Sequence, residues 1–182
     1  FSKKKNLRFI TINKDFLLQT SELNFRQVSG GILLQDKDTK RLSVNDISIV
    51  SSKKPSQNEL SDMLFAWKVV KHIKSNAVVF AENTSTIGIG AGQMSRVDST
   101  MIAKSKAQEM TWASKDKELN ILGPVAASDS FFPFADSIIE LANAGIKAVI
   151  QPGGSIRDAE VIEAVNKYGM SMVFTNTRHF KH

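Results

Sequence analysis

The 182-residue chain contains no cysteine, only four prolines and one tyrosine, and no apolar run that approaches the roughly eighteen residues needed to cross a bilayer. The lack of cysteine excludes disulfides and thiolate metal sites and fits a reducing compartment. The opening residues show no apolar signal segment behind their charges. Acidic neighbours at metal-ligand spacing are also missing around the three histidines, His72, His179 and His182. We therefore expect a cytoplasmic protein with no membrane contact and no zinc.

Composition and charge narrow the class of ligand. Hydrophobic residues make up 42% of the chain and charged residues 23%, which is typical of a folded globular protein with one main core. The net charge of +6 favours an anionic ligand, either small phosphates and carboxylates or a nucleic acid. Much of the excess lies in Lys3–Lys5, Lys53–Lys54 and the 104–117 region, which resemble termini and loops. Solvated charge is the simpler explanation, and both remain open.

The sequence IGIGAGQMSR, residues 87–96, places three alternating glycines between a strand-like and a helix-like segment. A dinucleotide fingerprint requires G-x-G-x-x-G, but Gln93 stands where the third glycine would be, and no Walker lysine follows. Glycine lets the backbone approach a ligand closely, and Arg96 adds charge. The alternative is a tight turn in which small residues are needed only for packing. The run indicates a binding loop without naming a ligand.

Hydrophobic periodicity predicts an α/β protein in which a central sheet carries helices on both faces. Two early strands are expected at 7–12 and 28–35, the second with Gly30–Gly31 as a bulge or point of close approach. A capping-box pattern at Ser56–Glu59 opens a helix whose apolar stripe belongs to the core. The 104–120 region is expected to be irregular. The remaining predictions are strands at 77–81, 86–89, 125–127, 148–150 and 170–174, and helices at 95–108, with Val97 and Met101 facing inward, at 135–143 and at 157–168.

Three further segments follow predicted strands and have the composition of binding loops. Ser128–Phe134 combines three phenylalanines and a proline with Asp136 nearby, which suits a flat heteroaromatic ring, although an aromatic core cluster is equally consistent. Gln151–Asp158 precedes a helix whose backbone amides could hold an anion, or whose Ser155 and Asp158 simply cap it. If the 175–182 tail is anchored where the last strand ends, it places Arg178 near the same site.

Taken together, these segments resemble one family, the bifunctional purine enzymes AICAR transformylase/IMP cyclohydrolase, and specifically the carboxyl-terminal part of their transformylase region. The motifs that carry the resemblance span nearly the whole chain in order: GGILLQ at 30–35, SNA at 75–77, IGIGAGQMSR at 87–96, SDSFFPF at 128–134 with Asp136, QPGGSIRD at 151–158 and RHF at 178–180.

The resemblance implies a zinc-free, cytidine-deaminase-like α/β fold, with 1–55 as a partial N-terminal segment and 56–182 as the α/β subdomain. It implies transfer of a formyl group from 10-formyltetrahydrofolate to the 5-amino group of AICAR, within a homodimer that binds neither nucleic acid nor membrane. The residues implied to contact AICAR are Asn76, Phe131 and Arg178. Those implied to lie on the folate side are Arg96, Val97, Pro133, Phe134, Asp136 and Ser155.

The chain also departs from the family pattern. The catalytic lysine–histidine pair of the family is expected upstream, and Lys71–His72 is not that pair because it lies on the helix before Asn76. A monovalent cation such as K⁺ would have Ser75 and Asp129 as suitable ligands, but Ile73 and Ala77 stand where hydroxyls are expected, and Ala135 replaces a frequent arginine. We therefore expect the chain alone to be inactive. A basic nucleic-acid-binding module and a non-catalytic nucleotide-binding domain are the competing interpretations.

Overall fold

The computed structural model describes residues 5–13, 23–113 and 123–181. The chain divides into two compact units, Phe1–Lys40 and Arg41–His182. Within the described ranges, no helix combines the length and the apolar character that a bilayer crossing would require.

The first unit contains an antiparallel hairpin of β1, Leu23–Val28, and β2, Gly31–Asp36. Ser29 and Gly30 form its two-residue turn, and Gly30 has a φ of +82°, a conformation that glycine adopts without steric cost. The predicted strand at 28–35 is therefore present from Gly31 onward, as β2, and its first residues were wrong, since Gly30 reverses the chain instead of forming a bulge. The predicted strand at 7–12 is not formed in residues 5–13.

The second unit is built on a six-stranded sheet with the order β3-β8-β7-β6-β4-β5. Strands β6, β7 and β8 are parallel, and the other three pair antiparallel with their neighbours. The bounds are β3 Ser48–Ile49, β4 Val78–Glu82, β5 Ser85–Gly90, β6 Val125–Ser128, β7 Ala148–Gln151 and β8 Ser171–Phe174. Because Val78 pairs with both Gly90 and Ser128, the start of β4 and the end of β5 lie at the same sheet edge as the carboxyl ends of the parallel strands. We call it the carboxyl edge.

Helices cover both faces of this sheet. Successive β4 residues alternate between two apolar clusters, with Val78 and Phe80 in one and Val79 and Ala81 in the other, as the period of two in a strand requires. Helix α1, Gln57–Val70, packs in the second cluster. The first cluster holds buried residues of α2 Arg96–Ala113, α3 Asp136–Asn143 and α4 Asp158–Lys167. A short 3₁₀ helix is formed by Val44–Asp46. The predicted α/β class is confirmed.

The capping box at the start of α1 is confirmed. Ser56 N–H donates to the Glu59 carboxylate at 2.6 Å, and Glu59 N–H donates to the Ser56 hydroxyl at 3.2 Å. Helix α2 differs from its prediction, because it continues to Ala113 through part of the region expected to be irregular; residues 114–122 lie outside the described ones. Met101 was expected to face inward but is 55% exposed.

Candidate functional site

Asp129 lies at the carboxyl edge, where its side chain and its backbone carbonyl together join three segments of the chain. It is fully buried. Oδ1 accepts hydrogen bonds from Ala77 N–H and the Arg96 guanidinium, both at 3.2 Å, and Oδ2 accepts one from the Ser75 hydroxyl. The Asp129 carbonyl accepts His179 N–H at 3.0 Å. One residue therefore anchors the segment before β4, the start of α2 and the chain after β8.

Arg96 is held as a fixed cation in the wall of this site. Its side chain is 12% exposed, and Nε also donates to the Ser128 hydroxyl at 3.2 Å. Burial lowers the pKa of Arg96; the Asp129 carboxylate opposes that effect, and the positive charge of Arg178 adds to it. An arginine stays protonated despite such a shift. Arg96 thus has two charged neighbours, the Asp129 carboxylate and the Arg178 guanidinium.

Asn76 ties the site to the turn that follows β5. Its Nδ2 donates to the carbonyls of Gln93 at 2.9 Å and Met94 at 3.1 Å, and its own carbonyl accepts the Ser99 hydroxyl at 2.8 Å. Because the amide nitrogen is committed to the turn, the side-chain oxygen is the group left to accept a further hydrogen bond.

The glycine run was expected to let the backbone approach a ligand closely, but two of its three glycines have a different role. Gly88 and Gly90 belong to β5 beneath α2, where a Cβ on either would overlap the carbonyl oxygen of Ala103 or Ser99. The packing alternative is therefore correct for these two glycines. Only Gly92, with a φ of +66°, is in the turn itself. The tight contact also explains why small side chains form the inner face of α2.

The aromatic segment is divided between core and surface. Phe132 is fully buried, so the core alternative holds for that ring alone. Phe131 is half-buried, and the Arg178 guanidinium lies 4.5 Å from its ring centroid. Phe134 is 46% exposed, with the Arg157 guanidinium 4.8 Å from its centroid. The tail is therefore anchored as expected, and it brings Arg178 onto the aromatic segment.

The other predicted folate-side residues lie on two helices and in the loops that precede α3 and α4. Val97 is half-buried in the first turn of α2, and Asp136 is exposed at the start of α3, where it accepts Ser137 N–H at 2.7 Å. Pro133 and Ser155 are half-buried in loops.

The loop before α4 does not offer its backbone amides to an anion in the way the sequence suggested. The Asp158 carboxylate accepts the N–H of Gly154 at 2.7 Å and of Ser155 at 3.2 Å. Asp158 therefore ties down the loop and does not cap α4, because these two amides precede the helix and its N-cap residue, Arg157, makes no side-chain cap bond. Ser155 hydroxyl instead accepts Arg157 N–H at 3.1 Å.

Three residues of the site were not predicted: Ser128, Gln151 and Arg157. Each is a polar residue at the end of an apolar strand or in a loop motif, which is the signal that could have identified them. Ser128 binds Arg96, Gln151 binds the backbone of Phe132, and Arg157 stacks on Phe134.

The predicted monovalent cation would have to compete for Asp129. Both carboxylate oxygens already accept protein donors, and Arg96 supplies a positive charge at 3.2 Å. In the described part of the chain, no three histidine, aspartate or glutamate side chains cluster as a metal site.

Comparison with known proteins gives close relatives along the whole chain. It is 52% identical to the bifunctional purine biosynthesis protein PurH of Magnetococcus marinus over 183 residues and 53% identical to that of Roseobacter denitrificans over 182, in each case covering 100% of this chain and 34% of the relative. The PurH of Persephonella marina is 53% identical over 180 residues, covering 99% and 33%. The chain thus spans about a third of the length of these curated relatives.

Among solved structures, a diaminohydroxyphosphoribosylaminopyrimidine deaminase/5-amino-6-(5-phosphoribosylamino)uracil reductase from Thermotoga maritima matches 65% of this chain and 35% of its own, with 14% identity and a TM-score of 0.40. So low a score supports no conclusion. The model of the AICARFT/IMPCHase bienzyme family matches residues 1–106. Because that match covers more than half of the chain, the protein belongs to the AICARFT/IMPCHase bienzyme family.

Proposed function

We propose that this chain is part of the transformylase region of a bifunctional purine biosynthesis protein and binds AICAR and 10-formyltetrahydrofolate for formyl transfer. The observation that carries the proposal is the stacking of Arg178 on Phe131 at 4.5 Å, with Arg96 close enough to influence it electrostatically. A guanidinium stacked on an aromatic ring suits a phosphorylated heteroaromatic ligand, which needs both charge and a flat surface.

On the nucleotide side, each predicted residue has a chemical task. Phe131 and Arg178 provide the surface against which the aminoimidazole carboxamide packs. The Asn76 side-chain oxygen accepts a hydrogen bond from an amino or carboxamide N–H group, because its nitrogen is already used by the turn.

On the folate side, the exposed Asp136 carboxylate accepts hydrogen bonds from the pterin amino group. Pro133 and Phe134 give an apolar wall, while Val97 and Ser155 line the approach from α2 and from the loop before α4. The cation–π contact of Arg157 keeps the Phe134 ring in one orientation.

The reaction joins the 5-amino nitrogen of AICAR to the formyl carbon and breaks the bond from that carbon to N10 of the folate. The amine loses a proton, and N10 gains one. Because the lone pair of this amine is delocalised into its ring, orientation and proton transfer must both be supplied. The described residues provide orientation, and the proton-transferring lysine–histidine pair is proposed to lie upstream.

The proposed fold is a cytidine-deaminase-like layering without zinc. Helices on both sheet faces and a chain without cysteine support it. We further propose that the protein is a cytoplasmic homodimer. K⁺ near Ser75 and Asp129 is an optional ligand in this proposal.

Calorimetric titration tests the assignment in a polypeptide of the relatives' full length that carries this chain. Arg178→Ala should weaken AICAR binding about tenfold, because it removes a charge and a stacking partner, and should leave the affinity for 10-formyltetrahydrofolate unchanged. Arg41→Ala, an exposed arginine outside the site, is the control. Equal AICAR affinity in wild type and Arg178→Ala would contradict the proposal.

Two activity assays separate the halves of the bifunctional protein. The 182-residue chain alone should transfer no formyl group, since it lacks the expected proton-transferring pair. Ring closure of formyl-AICAR to IMP by the isolated chain would assign it instead to the cyclohydrolase half.

A further inference from the structure

Gln151 is a polar residue at the end of β7 that is fully buried. Its Oε1 accepts the backbone N–H of Phe132 at 2.8 Å. Its Nε2 donates to the sulfur of Met172 at 3.3 Å, and a thioether is a weak acceptor. Since a buried amide is costly unless it is well hydrogen-bonded, the bond to Phe132 is the stronger reason for a glutamine at this position.

The same residue also fixes the beginning of the tail. The Gln151 carbonyl accepts Thr175 N–H at 2.9 Å, and the next carbonyl, that of Pro152, accepts Asn176 N–H at 3.0 Å. One strand end therefore holds both the Phe131–Phe134 segment and the chain that leads to Arg178.

These bonds determine where the Phe131 ring lies. The Phe132 side chain is buried in the core, so the backbone at Phe132 sets the direction in which its neighbour Phe131 leaves the sheet. Arg178 stacks on that ring at 4.5 Å. A displacement of the Phe132 backbone would therefore move the ring and the cation relative to each other.

We propose that Gln151 is a positioning residue for nucleotide binding. It acts through the Phe132 amide on Phe131 and Arg178 and does not touch the ligand itself. This inference rests on the proposed function, because the ligand that Phe131 and Arg178 receive is taken to be AICAR.

The key variant is Gln151→Met, which keeps the length of the side chain and removes the oxygen acceptor. In the full-length protein we expect a KM for AICAR about tenfold higher and a nearly unchanged kcat, since the misplaced residues bind the nucleotide and do not move its proton. Gln151→Glu should restore most of the affinity, because the partners at this position are a backbone amide and a thioether instead of a cation, so that burial keeps the carboxyl neutral and it retains a carbonyl acceptor. Met172→Leu removes only the sulfur contact and should match wild type.

Hydrogen exchange provides a readout that a general loss of stability would not reproduce. In Gln151→Met, peptides covering 131–134 and 175–178 should exchange faster, while those from β4 and β6 keep their protection. Uniformly faster exchange, or an unchanged KM despite lost protection at Phe132, would overturn the inference. If Gln151→Met does not fold, Gln151→Asn gives the same test, because it keeps the amide but shortens its reach.

The two proposals fail in different ways. If the wild-type protein does not bind AICAR, the proposed function is wrong. If wild type binds AICAR and Gln151→Met binds it equally well, only the positioning role is wrong.

Discussion

Two glycine pairs border the carboxyl edge, and they are glycines for different physical reasons. Gly88 and Gly90 have no space for a Cβ, because the backbone of α2 lies directly against β5. Gly153 and Gly154 have φ values of +71° and +90°, which L side chains rarely adopt. The first pair fixes the distance between helix and sheet, and the second turns the chain toward Arg178.

In the sequence the two pairs look alike, since both lie between an apolar segment and a predicted helix. Their difference lies in what surrounds them. A steric contact with a helix backbone depends on tertiary packing, whereas a positive φ is a property of the local chain. Substitutions to alanine distinguish the two cases, because they add the same methyl group to each environment.

Gly90→Ala should have the largest effect on stability. Its Cβ would overlap the Ser99 carbonyl, which is backbone and can be relieved only if α2 shifts. We expect the free energy of unfolding to fall by about 3 kcal/mol or more. Urea denaturation measures this, with Gly145→Ala as the control, since Gly145 has a φ of +84° but nothing near its Cβ position. An equal loss of unfolding free energy in the two variants would show that steric overlap with α2 does not explain the glycine at position 90.

Gly153→Ala should cost less, about 2 kcal/mol, for a strained φ together with an overlap that a side chain can relieve. The overlapping group is the ring of Phe174, a side chain, which can shift more readily than the backbone carbonyl of a helix. Thermal unfolding would detect the loss. Gly169→Ala, with a φ of +64° and open surroundings, isolates the backbone contribution. A loss at Gly153 as large as that at Gly90 would contradict the distinction between rigid and movable neighbours.

Gly154→Ala should cost about 1 kcal/mol, through φ alone. Its Cβ would lie 3.6 Å from an Arg178 nitrogen, an ordinary contact distance. We expect a small stability loss accompanied by a roughly threefold weaker affinity for AICAR, because relief of the strained φ shifts the loop that lies against Arg178. Calorimetric titration measures the affinity, and an unchanged value would separate this loop from the nucleotide site.

Asp136→Ala should affect stability least, by about 0.5 kcal/mol, because the side chain is exposed in the first turn of α3. Binding of 10-formyltetrahydrofolate by the full-length protein should nevertheless weaken markedly. Glu163→Ala, an exposed acid on α4, is the matched control for loss of charge. A nucleic-acid-binding module would instead be indifferent to Asp136→Ala and would bind oligonucleotides with a steep salt dependence.

The elements with strong local signals were predictable. The capping box at Ser56–Glu59 and the short apolar strands of the sheet are encoded within a few residues each, so their positions agree with the structure to within a few residues. Features that depend on distant contacts were missed. Met101 has the spacing of an inward residue, but the close approach of α2 to β5 admits only small side chains on that face.

The candidate site shows the same division. Arg178, Phe131 and Asn76 were identified from motifs, but their mutual arrangement depends on Asp129, whose bonds connect segments more than 30 residues apart in the chain. Gln151 gave only a weak signal, a polar residue ending an apolar strand. Its role emerges from the bond to Phe132.

By itself, the sequence determined the α/β class, the capped helix, the loops that follow the parallel strands and the chemical types gathered there. Periodicity, capping and turn propensity act over a few residues, so they can be read locally. The tertiary structure decided that Gly88 and Gly90 serve packing, that Asp129 is bound by Arg96, and that Arg178 lies on Phe131. These contacts join residues that are distant in the chain, and only the folding of the sheet and its helices brings them within reach of each other.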